Sequence, residues 1–250
     1  MVRTENLCKY FSDGKNGLVR AVDGVSFEAK AGEIHGLLGA NGAGKTTVLR
    51  MLSTILRPTS GQAFINGIDV LNDPQKVRAS IGFMSTSTAL YGRLKAIEML
   101  RYFGELYGLR GKVLEARIDE IVEKLQIGEF GDRYCEKLST GQKQRVSIGR
   151  TIIHDPAVLF FDEPTAGLDV LMAQTVLEFI EDARAKGKTV ILCTHIMTEV
   201  ERLCDRLTVI HEGRVGAAGT VAEVLTQANE VSLEKAFLKI VRHQTGQVTL

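Results

Sequence analysis

Eight consecutive residues, Gly39-Ala40-Asn41-Gly42-Ala43-Gly44-Lys45-Thr46, constrain this chain more than any other stretch. They fit G-x-x-x-x-G-K-S/T, a spacing in which glycines let backbone N–H groups converge on a phosphate without interference from Cβ atoms. The context is the one such a loop requires: the apolar run Ile34–Leu38 precedes it and the helical stretch Thr47–Leu56 follows. A helix that opens at Gly44 turns its positive N-terminal end toward the same anion. Lys45 offers a mobile positive charge to β- and γ-phosphates, and Thr46 offers a hydroxyl to Mg²⁺. The loop makes the chain an α/β protein that binds a phosphorylated nucleotide. By itself it does not separate kinases, GTPases, helicases and transporters.

The rest of the chain follows an α/β rhythm with one interruption. Val19–Phe27 alternates partly and carries β-branched residues, and Ala63–Ile65 lies between the turn signals Thr59-Ser60-Gly61 and Asn66-Gly67, so both read as strands. Helical spacing then takes over, first in Ala96, Met99, Leu100, Phe103, Leu106 and Tyr107, then in Ile118, Ile121, Val122 and Leu125. Gly108, Gly111 and Gly128 punctuate these segments, which form a compact helical insert at roughly residues 87–155. Beyond it, Ala157–Phe161 and Thr189–Cys193 read as buried parallel strands separated by a helical face of Ala173, Val176, Leu177 and Ile180. Arg206–Ile210 and Arg214–Ala217 flank a His-Glu-Gly turn and predict a hairpin. Strands alternating with helices imply a mostly parallel, helix-covered sheet. The tail 221–250, with a short helix from Ser232, is too short for a regulatory domain, so residues 1–250 read as a single domain.

Composition narrows the function classes. Lys plus Arg number 31 against 30 for Asp plus Glu, which removes the electrostatic argument for a nucleic-acid binder. A 44% apolar content with net charge +1 argues against disorder. Cys8, Cys135, Cys193 and Cys204 form no C-x-x-C pair and have no His at zinc-finger spacing, so they read as free thiols of a reducing compartment. The start, MVRTENLCKYF, lacks the apolar core of a secretory signal, and no apolar run approaches the ~18 residues of a membrane span. The expectation is a cytoplasmic protein that depends on other subunits if it works at a membrane.

A second acidic motif complements the phosphate loop. Val158-Leu159-Phe160-Phe161-Asp162-Glu163 sets two carboxylates at the end of a buried strand, and ligands bind at the carboxyl ends of parallel strands. Asp162 can then reach a Mg²⁺ shell, while Glu163 can polarise a water in line with a γ-phosphate.

Further motifs bring in a family. Leu138-Ser139-Thr140-Gly141-Gln142 opens a helix running to about His154 and resembles the signature of ATP-binding-cassette (ABC) ATPases. Pro164-Thr165-Ala166-Gly167-Leu168-Asp169 looks like that family's D-loop, and Cys193-Thr194-His195 like its switch histidine. The four motifs are ordered along roughly residues 2–220. The resemblance implies a P-loop NTPase of the ABC type: a mostly parallel core sheet, an antiparallel β subdomain and a helical insert. It implies that Gly39, Asn41, Gly42, Ala43, Gly44, Lys45, Thr46 and Thr47 bind the nucleotide, and that Thr46 and Asp162 hold Mg²⁺. Glu163 would be the general base, and His195 would contact the γ-phosphate and hold the attacking water. Ser139, Thr140, Gly141 and Gln142, with Asp169 of the D-loop, would face ATP held by a second subunit in a head-to-tail homodimer. Phe11 falls where an aromatic residue stacks on adenine, with Tyr10 as the fallback. Transmembrane permease subunits are the implied partners, with the ATPase peripheral on the inner face of the cell membrane.

Two departures stand out. Thr140 replaces the usual signature glycine, a change tolerated if its side chain points away from the phosphate. The glutamine that usually follows the strand Ser80–Met84 and couples Mg²⁺ to the permease is replaced by Thr86, with Ser85 beside it. The stretches Ala21–Phe27, Tyr102–Gly108 and Thr194–Glu201, together with that missing glutamine, resemble ATPase subunits of ABC-2-type exporters, in particular the bacterial sodium-efflux branch. The alternatives are an ATPase for another ABC-2 cargo (drug, lipid or polysaccharide) or a non-transport ABC protein. The soluble DNA-repair type needs a long coiled coil between Lys45 and Ser139, and no sustained heptads occur there. A degenerate cassette that serves as a scaffold would not need Lys45, Asp162, Glu163 and His195 all in place.

Overall fold

Two sheets meet at the phosphate loop. The computed structural model describes residues 1–12, 14, 17–85 and 90–244. Strands β1 (Val2–Ser12) and β2 (Leu18–Ala29) come first, then β3 (Ile34–Leu38) and helix α1 (Lys45–Leu52). They are followed by β4 (Ser60–Ile65), β5 (Ile68–Asp69), α2 (Pro74–Ser80) and β6 (Ile81–Ser85). The helical insert holds α3 (Ala96–Leu106), α4 (Gly111–Lys124) and α5 (Thr140–Ile152). The chain returns through β7 (Val158–Asp162), α6 (Val170–Ala185), β8 (Thr189–Thr194) and α7 (Met197–Leu203). It closes with β9 (Arg206–His211), β10 (Arg214–Gly219), α8 (Val221–Ala228) and α9 (Leu233–Gln244).

Among the described residues the first sheet is antiparallel, in the order β2-β1-β4-β5, and the second runs β10-β9-β3-β8-β7-β6. All pairings in the second sheet are parallel except the terminal hairpin β9–β10. Its register sets Leu38 opposite Thr194 and Asp162 opposite Cys193. Gly39, Glu163 and His195, each just past a strand end, therefore emerge side by side, as ligand-binding parallel sheets require.

The core follows from alternation along strands buried on both faces. In β7, Val158 and Phe160 join the cluster of Leu37, Val48 and Leu49 under α1, whereas Leu159 and Phe161 join that of Leu100, Val146 and Ile180 under the helical insert. A third cluster, with Val200, Val209, Val224 and Leu233, packs α8 and α9 onto the terminal hairpin, so the tail is part of the core.

Several boundaries differ from the sequence reading. The first helix spans Lys45–Leu52 rather than Thr47–Leu56. It stops early because Thr54 takes φ +63° and the N–H groups of Ile55 and Leu56 both fold back onto the Arg50 carbonyl. The strand expected at Ser80–Met84 is shifted to Ile81–Ser85, since Asp73 caps and Pro74 opens a helix that consumes Ser80. The helix expected to reach His154 ends at Ile152. Thr86 lies outside the described residues. Among the described residues, no helix is long and apolar enough to cross a membrane.

Candidate nucleotide site

Glycine is required in the phosphate loop for two physical reasons. Gly44 sits at φ +109° as the N-cap of α1, and a Cβ there would lie 2.5 Å from the Ala21 carbonyl oxygen of β2. A Cβ on Gly39 would lie 2.4 Å from the Ile210 carbonyl oxygen. The loop therefore wedges between the two sheets. Asn41, Gly42, Ala43, Gly44, Lys45, Thr46 and Thr47 line one depression, with Ala21 on one side and Glu163 on the other. Lys45 is buried, and its Nζ donates to the carbonyls of Gly39 at 2.6 Å and Ala40 at 3.0 Å.

The acidic strand end faces this loop. Thr46 Oγ1 donates to Asp162 Oδ1 at 3.1 Å. Burial pushes the Asp162 carboxyl above the usual aspartate range, the Thr46 hydrogen bond opposes that, and the Glu163 charge adds to it. The Glu163 Oε1 lies 3.7 Å from Lys45 Nζ and 3.1 Å from His195 Nδ1. Lys45 and His195 thus converge on one oxygen of the Glu163 carboxylate. The pair Thr46 and Asp162 offers a hydroxyl and a carboxylate, the oxygen donors a hard cation takes. Among the described residues no cluster of three or more His, Cys, Asp or Glu could hold a metal unaided. A site with so few protein donors suits Mg²⁺, which binds through one or two carboxylates plus substrate phosphates. Cys193 is fully buried beside Asp162, and desolvation holds its thiol well above the ordinary range, so it is chemically quiet.

The signature residues line a different depression. Ser139 caps α5: its Oγ accepts from Gln142 N–H at 3.3 Å while Gln142 Oε1 accepts from Ser139 N–H at 3.1 Å. The cap uses only a lone pair of the hydroxyl, so the Ser139 O–H proton can still be donated. Asp169 caps α6 by accepting from Met172 N–H at 2.9 Å. Ser139, Thr140, Gly141, Gln142 and Asp169 line one depression that shares no lining residue with the phosphate loop. Thr140 is exposed there.

Phe11 is on β1, opposite Val19, with Lys9 Nζ 5.2 Å from its ring centroid. It does not line the phosphate-loop depression, which takes Ala21 from the adjoining strand instead. Tyr10 is engaged elsewhere, its hydroxyl donating to Asp23 at 2.6 Å. One buried residue that the sequence reading missed stands behind the site. Glu199, in the first turn of α7, accepts hydrogen bonds from the hydroxyls of Thr165 and Thr194.

The chain is similar to known proteins. A family model described as "ABC transporter" matches residues 22–166. The chain is 38% identical to "ABC transporter ATP-binding protein NatA" of Bacillus subtilis, over 97% of this chain and 99% of that protein. It is 36% identical to "Probable multidrug ABC transporter ATP-binding protein YbhF" of Escherichia coli, covering 96% of this chain but 42% of that longer protein. Among solved structures it resembles the dimeric post-hydrolysis state of the ATP-binding cassette MJ0796 bound to ADP and Pi, with TM-score 0.80, 26% identity, and coverage of 88% of this chain and 99% of that one. With a phosphate loop wedged between two sheets, an acidic strand end facing it and a signature helix that opens in a separate depression, the chain belongs to the ABC transporter family, as one of its ATP-binding subunits.

Proposed function

We propose that this protein hydrolyses ATP to drive a membrane exporter, working as a head-to-tail homodimer bound to transmembrane permease subunits at the inner face of the membrane. The observation that carries the reading is the convergence of Lys45, Glu163 and His195 at the strand ends beside the phosphate loop.

The phosphate loop, from Gly39 to Thr47, would cradle the triphosphate, with Lys45 moving from the loop carbonyls to the β- and γ-phosphates. Thr46 and Asp162 would hold Mg²⁺, which when bound neutralises charge on the phosphate oxygens. Glu163 takes a proton from the attacking water, the water oxygen bonds to the γ-phosphorus, and the bond to the β–γ bridging oxygen breaks. His195 holds that water and the γ-phosphate in line. Phe11 is the proposed adenine platform, paired with Val19 of the strand whose Ala21 borders the loop. Ser139, Thr140, Gly141, Gln142 and Asp169 would close on the γ-phosphate held by the partner subunit. Two observations support this: their depression is separate from the chain's own phosphate loop, and Val170 and Leu171, just past Asp169, are 85% and 80% exposed. Exposed apolar residues beside a capped helix pair suit a surface that a second copy covers.

Sodium ions are the cargo implied by the branch the chain resembles. A drug is the second reading, favoured by a relative of nearly equal identity whose name marks a probable multidrug transporter. Efflux of ²²Na⁺ against efflux of a cationic dye, from vesicles carrying the ATPase with its permease, separates the two.

The ATPase reading itself is tested on the purified protein. Wild type should hydrolyse Mg-ATP, Lys45→Ala should lose nucleotide binding, and Glu163→Gln should bind ATP normally while turnover falls about a hundredfold or more, roughly 2.7 kcal/mol of barrier. A wild-type protein that binds ATP without turning it over would instead be a scaffold cassette.

A further inference from the structure

Glu199 is 5% exposed, and no cation pairs with it among the described residues. A buried carboxylate is an acceptor only, so the hydroxyls that reach it must donate to it. Two do. Thr165 Oγ1 donates to Oε1, and Thr194 Oγ1 donates to Oε2 at 2.7 Å. Each threonine belongs to a different limb of the site. Thr165 lies two residues past Glu163, and Thr194 immediately precedes His195.

Both limbs need such a restraint. Glu163 has φ +51°, a left-handed conformation that a residue with a Cβ keeps only when its surroundings over-determine it. Its N–H donates to the Cys193 carbonyl at 2.9 Å, and its carbonyl accepts from Ala166 N–H at 3.2 Å. Between these, Gln144 of α5 donates to the Pro164 carbonyl at 2.5 Å and Thr165 is tied to Glu199. On the other limb, the Thr194 hydroxyl donates to Glu199 and accepts from Ile196 N–H at 3.0 Å, which closes a turn around His195. One carboxylate on α7 thus grips the segment behind the base and the segment in front of the histidine.

We infer that Glu199 is a positioning residue for ATP hydrolysis: by accepting from Thr165 and Thr194 at once, it sets the placement of Glu163 relative to His195. It would act through these two limbs rather than on the nucleotide itself. The inference rests on the proposed ATPase reading, in which these two side chains share the attacking water. Because the phosphate loop and its lysine are not part of this grip, its loss should move the chemical step and leave nucleotide capture intact.

Steady-state ATP hydrolysis and equilibrium binding of a fluorescent ATP analogue test this, on the full chain, with melting temperature measured in parallel. Glu199→Ala should lower kcat about tenfold or more while KM for ATP and analogue affinity stay within twofold. Glu199→Gln, whose carbonyl and amide can still engage both threonines, should recover kcat to within about threefold. Should Glu199→Ala fail to fold, Thr194→Val and Thr165→Val each delete one hydroxyl at nearly constant shape; each should lower kcat severalfold at unchanged analogue affinity. Unchanged kcat in the variants overturns the inference. So does a loss of kcat and affinity together that tracks melting temperature, the signature of a merely structural role. A wild-type protein without turnover in the same assay indicts the ATPase reading instead.

Discussion

Burial sets the Asp162 carboxyl where a bound cation would favour its charged form. Its carboxyl is buried beside a second carboxylate, and desolvation raises its pKa while the Thr46 hydroxyl offsets only part of that. An acid whose pKa is higher folded than unfolded destabilises the fold once it ionises, so its penalty is present above the raised value and disappears as pH falls through it. Asp162→Asn should therefore raise the melting temperature of the nucleotide-free protein at pH 7, on the order of 2 °C for a chain of this size. It should also weaken Mg²⁺-dependent nucleotide binding. In the wild type that affinity should decline on acidification before the ordinary aspartate range is reached, because protons compete with the cation. Scanning calorimetry of the apo protein and nucleotide titrations with and without Mg²⁺ check the two signs; a lower apo melting temperature in Asp162→Asn would contradict the account. The acidic pair and the phosphate loop were legible because each motif is contiguous and its chemistry is local. Glu199 was not: its partners are 5 and 34 residues away, and a lone glutamate in a short helix reads as a solvated position.

Elements whose apolar pattern is unbroken were legible, and those with local irregularities were not. β1 escaped the sequence reading because its period of two fails midway: Leu7 and Cys8 are both buried, Asn6 takes φ +47°, and the pairing with β2 shifts register between Thr4 and Leu7 and again before Lys9. α8 carried a signal in plain view, the Thr220–Glu223 capping box, but buries only Val224 and Ala228 and so shows little periodicity. Past the end of α5, His154 ties the helical insert to the core sheet. Its Nε2–H donates to the Ile81 carbonyl at 2.9 Å, and its ring stacks on Tyr107 at 3.5 Å. Burial lowers its pKa from 6.5 to about 4. The neutral imidazole is thus favoured in the fold. Its stabilising contribution is full above the unfolded value of 6.5 and is lost as pH falls through about 4. The whole effect amounts to at most about 3 kcal/mol. His154→Phe should cost about 1 kcal/mol at pH 7 for the lost hydrogen bond, yet lose less stability than wild type between pH 6.5 and 4.5. Urea midpoints at the two pH values check it, and an equal acid loss in both proteins would remove His154 as the cause.

At the scale of the whole molecule, continuous apolar runs announced a parallel sheet, but the order β9-β3-β8-β7-β6 depends on crossovers that no local pattern encodes. That order sets the carboxyl ends of β3, β7 and β8 side by side, and the signature lines a depression separate from the phosphate loop. In the proposed dimer each nucleotide would be completed by a second copy, with Val170 and Leu171 covered in the process. Leu171→Asp should abolish ATP-induced dimers of the Glu163→Gln background while leaving the monomer's nucleotide affinity within twofold. Light scattering with and without Mg-ATP reads this, and dimers that persist would place the interface elsewhere.

The shared site is tested most directly by mixing two inactive variants. Ser139→Ala protomers keep the phosphate loop and lose the signature hydroxyl; Lys45→Ala protomers keep the signature and lose the loop lysine. In a mixed dimer one interface pairs an intact loop with an intact signature. ATP turnover of the mixture should exceed that of either variant alone and reach about a quarter of wild type per mole of protein on random mixing, rising toward a half as mixing favours heterodimers. No gain, in a mixture shown by cross-linking to contain heterodimers, would mean that each chain completes its own site and would contradict the account.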